Sequence, residues 1–445
     1  MISAAARLER ESGPDSPVGE ERICEEIAHL MEGLYPICRS LTGNGQRQTL
    51  HLLRKHIDLA IHEVPSGTEV FDWTVPKEWN IRDAYIKDAT GARIVDFMKS
   101  NLHVVGYSVP IHARLSLEEL KGHLFTSPEH SDWIPYRTSY YQENWGFCLS
   151  QGQFLQLKHG EYEVYIDSTL KNGSLTYGEY YLQGEREDEI IISCHICHPS
   201  LANDNLSGIA AATFLAKQLS SVPLRYSYRF LFTPGTIGSI AWLCKNEDRL
   251  SRIRGGLILA CLGDSGSFTY KRSRRGNAEI DRAVVKTLKD SGQRYEVMEF
   301  FPYGYDERQF CSPGFDLPVG CFMRTPHGRF PEYHTSADDL SFVRPQHVAG
   351  SLSMCRDVLQ LVERNRTYVN LNPKCEPQLG KRGLYGAIGG QSDGEKRELA
   401  MLWVLNMSDG RNSLLDIADR SGMSFNAIHR AAEALERHGL LRESA

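Results

Sequence analysis

From about Leu175 to Leu361, short apolar runs alternate with stretches of helical periodicity. The runs "EIIISC", "RYSYRFLFT", "GGLILACLG" and "LPVGCFM" have the length and composition of buried strands. Between and after them come "NLSGIAAATFLAKQLSS", "TIGSIAWLCKN", "AEIDRAVVKTLKDSG" and "VRPQHVAGSLSMCRDVLQLVERN", which have the pattern of helices. Such alternation allows few solutions. It predicts an α/β fold with a largely parallel central sheet, and ligands beyond the carboxyl ends of its strands.

The rest of the chain is organised around that block. At 445 residues, two or three domains are expected. Residues 1–19 have no apolar stretch and are expected to form a disordered leader without a secretory signal. Residues 20–65 carry two helical patterns, joined by the loop "CRSLTGNGQRQTL". Residues 66–165 change texture to short, aromatic, turn-rich runs such as "FDWTVP" and "EYEVYIDSTL", the pattern of an inserted antiparallel β domain. The α/β domain is therefore expected to be discontinuous, built from 20–65 and 166–372. A Gly/Pro-rich linker is expected over 373–393. Residues 394–445 have the pattern of a winged helix-turn-helix, with "DRSGMS" as the turn.

The densest chemistry lies in "CHICHPSLANDNLSG", Cys194 to Gly208. His195 directly follows an apolar strand, so it is expected at the carboxyl edge of the sheet. Asp204 precedes a helix, where it could equally serve as a cap. Asp264 follows the strand "LILACLG", and His334 stands in "YHTSADDL" after "LPVGCFM". One Asp or His at each of several strand ends is how an open sheet gathers metal ligands, and such donors suit zinc with an open position for water. The rival reading of Cys194 and Cys197 as a CxxC redox or structural-zinc pair lacks a second CxxC.

The motifs "HICHPSLANDNLSGIAAATFLA", "LFTPGTIGSIAWL", "LACLGD", "YDERQFCSPGFDLPVG" and "YHTSADDLSFV" occur in this order at fitting spacing. Together they resemble the co-catalytic zinc aminopeptidase superfamily, and within it the aminopeptidase-like branch with an inserted β domain and a C-terminal winged helix. The resemblance implies a mixed sheet flanked by helices and one or two zinc ions. It implies His195, Asp204, Asp264 and His334 as metal ligands, with Asp306 and Asp338 in support. In the branch, the strand after the "NLSG" helix ends in glutamate, as ligand or general base; here Gly235 stands in its place. The position two after the first histidine, usually aspartate in these families, is Cys197. Glu307, His198 or a carboxylate of the substrate itself are then the candidate catalytic groups in reach, and Gly235, at a strand end facing the cleft, is expected to have room for a side chain.

Arg39 and Arg47 flank a polar loop. They are either solvated or, with Tyr333, contacts for a substrate carboxylate or phosphate. The aromatic residues Trp73, Trp79, Trp133 and Trp145 are expected in a core or interface. A net charge of −6 gives no reason to expect nucleic acid or anionic membrane as partner, and no apolar run reaches the roughly 20 residues needed to span a bilayer. From Glu395 to Glu443 there are seven Lys/Arg against eight Asp/Glu, so the winged helix lacks the basic face of a DNA reader. Eleven cysteines without a signal peptide point to reduced thiols and a cytoplasmic location. The expected function is zinc-dependent hydrolysis of an amide in a small aminoacyl or peptidyl conjugate of a biosynthetic pathway. The alternatives are a catalytically impaired binding protein and a DNA-associated regulator. The expected partners are a small-molecule amide or peptide-like substrate and another copy of the chain as a homo-oligomer.

Overall fold

The computed structural model describes residues 17–384 and 392–444. Two compact units emerge: Met1–Gly276 with Glu296–Ser353, and Asn277–Tyr295 with Met354–Ala445. Among the described residues no helix is long and apolar enough to cross a membrane.

The first unit is built on an eight-stranded mixed sheet. Its order is Ala60–Pro65, Ser174–Leu182, Ser227–Thr233, Glu189–His195, Ile253–Leu259, Val319–Met323, Phe268–Lys271 and Tyr295–Met298. The four middle strands run parallel, and the strands flanking them pair antiparallel. Glu189–His195 and Ser227–Thr233 are buried at every position, which is why they contain almost no alternation. Parallel pairing brings His195 beside Thr233 at one edge of the sheet. The helix Gly208–Leu219 is apolar on nearly all sides and buried from Gly208 to Ala216.

Within residues 66–165, strands Glu78–Lys87, Arg93–Asp96 and Ile111–Ser116 join Glu161–Lys171 in a separate antiparallel sheet. That sheet has its own apolar core, including Ile86, Phe147, Val164 and Ile166. The strand starting at Glu161 continues to Lys171, so a boundary at residue 165 cuts through it. At the amino end, a helix begins at Pro17, inside the segment expected to be a leader; residues 1–16 lie outside the described residues.

The second unit contains helices Ser392–Met407, Leu414–Ser421 and Phe425–Arg437. Its three-stranded sheet has Thr367–Asn370 between Asp409–Ser413 and Leu441–Glu443. The winged helix thus takes in a strand assigned from sequence to the α/β domain. Of the expected linker, 373–384 holds one turn of 3₁₀ helix, Gly380–Arg382, and 385–391 lie outside the described residues. The helix Glu279–Ser291 also belongs to this unit. Its Arg282 pairs with Asp416 at 2.8 Å and Asp419 at 2.7 Å, and Lys286 donates to the Met423 carbonyl at 2.7 Å.

The arginine Arg47 secures a junction in the first unit. Its guanidinium grips Glu78 through two bonds, 2.8 and 3.0 Å, and Glu63 through a third of 2.7 Å. Glu78 also accepts from the Ser174 amide at 2.9 Å. Helix Asn44–Leu53 is thereby tied to the start of the inserted sheet and to the main sheet. The Arg47 hydrogen bonds hold the Glu78 carboxyl down to about 2, against an ordinary value of 4.5. A depressed carboxylate contributes stability above its unfolded value, and that stability is lost as pH falls through the folded one. We expect Glu78→Gln to lower Tm at pH 7 and to flatten the fall in Tm between about pH 4.5 and 2. Parallel Tm–pH curves for the two proteins would contradict this.

Candidate active site

The carboxylate of Asp204, fully buried, is the centre on which three imidazoles converge. His195 Nε2 lies 2.8 Å from Oδ1, His334 Nε2 lies 2.9 Å from Oδ2, and His198 Nδ1 lies 3.2 Å from Oδ2. Each comes from a different part of the fold: His195 ends its strand, His198 follows in the loop, and His334 sits in the segment after Val319–Met323. Burial pushes the Asp204 carboxyl up, but His198 and His195 outweigh it and hold it well below the ordinary range. Burial lowers the pKa of His334, against the pull of Asp204.

Neighbouring groups fix these rings. Tyr333 stacks on His334 with centroids 4.0 Å apart, and Tyr305 stacks on His195 at 5.1 Å. His334 has φ of 57°, an uncommon conformation for histidine, and its carbonyl accepts from the Tyr136 amide at 2.8 Å. Ile134 and Ser336 exchange two further hydrogen bonds, so the inserted region braces the His334 loop. Asp338 accepts from the amides of Asn203 and Asp204 at 2.5 and 3.0 Å, which orients the Asp204 segment. Burial pushes Asp338 up to about 8 against those two bonds.

The donor atoms of His195, His198 and Asp204 lie within 4.8 Å of one another and can hold a metal ion. His334 faces the same Asp204 Oδ2 as His198 and adds a third imidazole beside this cluster, and nitrogen and oxygen donors of this kind suit zinc. A second ion would need a further carboxylate ligand, and among the described residues none joins this cluster. Asp264 accepts from Asn203 Nδ2, Thr325 Oγ1, and the amides of Gly266 and Thr325, at 2.6–3.2 Å. It braces Asn203 and lies outside the donor cluster. The preceding strand ends at Leu259, earlier than the apolar run suggests, and the chain turns at Cys261 with φ of 49°. Burial and the nearby Asp204 charge raise the Cys261 thiol, which lies 3.1 Å from Tyr305 Oη.

A cleft of about 420 Å³ opens beside the histidines, lined also by Gly235, Asp306, Arg308, Tyr333, Trp73 and Tyr141. The space beside Gly235 is not free: a Cβ there would lie 3.1 Å from His195 Cβ and 3.3 Å from Asp306 Oδ1. Asp306 therefore flanks Gly235 directly. Its Oδ1 is buried without a hydrogen-bond partner among the described residues, and burial raises its pKa to about 6 against the effect of His195. Glu307, one residue on, is not on the cleft wall. It is buried in an ion pair with Lys271 at 2.6 Å, and Lys271 also holds the Tyr303 carbonyl at 2.8 Å.

Two other residues considered for substrate binding are occupied elsewhere. Arg39 is buried and donates to the carbonyls of Leu34, His198 and Pro199 at 2.6–3.0 Å, pinning the loop that carries His198. Arg47 is the junction residue described above. Cys194 and Cys197 are free and buried, and burial pushes Cys197 up to about 12 and Cys194 well above the ordinary thiol range. That is the reverse of a reactive redox thiol. Arg308, Tyr305 and Tyr136 were not singled out from sequence. Their only signal is the tyrosine-rich texture of "FPYGYDER" and "DWIPYRTSYY".

Comparison with known proteins supplies the family. Residues 28–365 match the family described as a domain of unknown function, DUF4910, and residues 366–443 match a winged helix-turn-helix family. A Clostridium acetobutylicum protein is 58% identical over 417 residues, 94% of this chain and 96% of its own. It carries the provisional name of a polysaccharide biosynthesis protein with an aminopeptidase-like domain. A crystal structure of a provisional peptidase from the same organism superposes with a TM-score of 0.91 at 55% identity, covering 96% of this chain and 98% of that one. The zinc aminopeptidase BSAP of Bacillus subtilis shares the fold, with a TM-score of 0.57 at 13% identity over 77% of this chain and 95% of its own. The chain belongs to the DUF4910 family, which here combines a zinc-aminopeptidase-like α/β fold with a C-terminal winged helix.

Proposed function

We propose that the protein is a metal-dependent hydrolase of an amide bond in a small aminoacyl or peptidyl conjugate. The observation that carries this reading is the convergence of His195, His198 and His334 on the buried Asp204 at the mouth of a cleft. The name of the Clostridium relative supports a role in biosynthesis, here assigned to polysaccharide. We assign one zinc ion to the four residues, because Gly235 supplies no carboxylate and Asp264 is fully engaged. Zinc bound there supplies Lewis acidity toward the scissile carbonyl. Asp306 accepts the proton of the attacking water at Oδ1 and passes it to the leaving amine. Tyr305 and Tyr333 hold the imidazoles in place and shield them from solvent. Lys271 and Glu307 anchor the segment that presents Tyr305 and Asp306.

The test is zinc content together with turnover of a panel of aminoacyl and N-acyl amides. About one zinc per chain and turnover abolished by chelation are expected. Absence of turnover with zinc retained would favour a binding protein instead, and absence of both would remove the reading.

The winged helix is assigned to protein packing and not to DNA. The amide of Phe425, at the start of the helix that reads DNA in such domains, donates to Asp290 of helix Glu279–Ser291 at 2.8 Å. A carboxylate at that end repels phosphate, and Arg282 and Lys286 are already paired. Fluorescence anisotropy with mixed-sequence duplex DNA at low salt should show no salt-dependent binding. Binding that weakens steeply with salt would reverse the assignment.

A further inference from the structure

Arg308 differs from Arg39, Arg47 and Arg229 in its partners. Arg39, Arg47 and Arg229 are each satisfied by carbonyls or carboxylates. Arg308 lines the cleft with Nε buried and without a hydrogen-bond partner among the described residues, its guanidinium 5.7 Å from the Tyr303 ring. It is also the only Lys or Arg on the cleft wall among the described residues. The Asp306 carboxylate interacts electrostatically with Arg308, but the buried Nε makes no hydrogen bond among the described residues, and the fork geometry of a guanidinium matches a carboxylate or phosphate. At the cleft mouth, Trp73 and Tyr141 are 47% and 53% exposed, with ring centroids 5.6 Å apart. Exposed, paired aromatic rings with polar edges suit a flat ligand that is apolar on its face and hydroxylated at its rim.

We propose that the cleft selects an anionic sugar derivative, with the oxyanion held by Arg308 and the pyranose ring against Trp73 and Tyr141. This takes the position of the reacting amide from the hydrolase reading and adds the substrate class. The negative charge of the ligand complements the one fixed cation of the cleft. The ring platform is continuous with the wall that carries His195 and His334. Arg308 directly follows Asp306 and Glu307, so the Lys271–Glu307 pair also sets its position.

The experiment is calorimetric titration of the metal-stripped full chain with D-glucuronate, D-glucose 1-phosphate and D-glucose. At least one of the two anions should bind about tenfold or more tightly than glucose. Whichever anion binds more tightly identifies the oxyanion as carboxylate or phosphate. Arg308→Gln should bring the anions down to the level of glucose, and Arg308→Lys should restore part of the difference. Trp73→Ala should weaken anion and glucose alike. Trp73 is exposed and Arg308 half-buried, and circular dichroism checks that the fold is unchanged. Equal binding of glucose and both anions by the parent protein, no detectable binding of any of them, or no effect of Arg308→Gln would overturn the proposal. Since no metal is present and no bond is cleaved, this result and the hydrolysis result can fail independently.

Discussion

Asp204→Asn is expected to lower the zinc content of the purified protein by at least about tenfold while leaving the fold intact. The substitution is isosteric and keeps one oxygen, so packing around the buried residue changes little. It removes the charge on which His195, His198 and His334 converge. An amide offers one acceptor oxygen where the carboxylate offers two, and its NH₂ group would face an imidazole nitrogen or the metal. Loss of an outer-sphere partner alone typically costs 10–100-fold in metal affinity, and loss of a direct ligand should cost more. His159→Ala, on an exposed residue, should leave zinc unchanged. Zinc measured by plasma mass spectrometry after gel filtration decides the matter, with circular dichroism as the check on folding. Full retention of zinc by Asp204→Asn would show that the metal, if any, is held elsewhere.

The parts of this arrangement that were legible in sequence are those governed by local pattern. Unbroken apolar runs such as "EIIIS" mark central strands, because such strands are buried on both faces and need no polar alternation. A histidine directly after such a run lies at the carboxyl edge of the sheet, and His195 does. What depends on where the backbone bends was harder to read. Asp264 follows an apolar stretch, but the strand stops at Leu259 and the turn at Cys261 directs Asp264 toward Asn203 and Thr325. Charge pairing across the fold was also hidden. Glu307 finds Lys271 from 36 residues away, and Arg47 finds Glu78 from 31. Either partner alone looks like a free functional group. The strand Thr367–Asn370 gives the same lesson for domain limits, since its pairing partner Leu441–Glu443 lies at the far end of the unit.

Asp306→Asn is expected to reduce turnover by roughly a hundredfold to ten-thousandfold, the usual contribution of a general base, with zinc content unchanged. A glutamate placed at Gly235 would look like a repair, but His195 and Asp306 already crowd the position. The new Cβ alone would approach His195 Cβ to 3.1 Å and Asp306 Oδ1 to 3.3 Å. A second carboxylate beside Asp306 adds like-charge repulsion in a buried place, and one of the two would have to take up a proton or move. Gly235→Glu should therefore lower turnover and disturb His195, contrary to the expectation of an open position. The double variant Gly235→Glu with Asp306→Ala removes the repulsion and the approach to Asp306, leaves only the 3.1 Å approach to His195 Cβ, and keeps one carboxylate near the cleft, so it should recover part of the activity lost by either single variant. Recovery of that kind would show that the two positions share one role, since independent defects multiply and do not rescue. If Asp306→Asn turns over at the parental rate, or if Gly235→Glu alone is faster than the parent, the base lies elsewhere and Asp306 is a structural carboxylate.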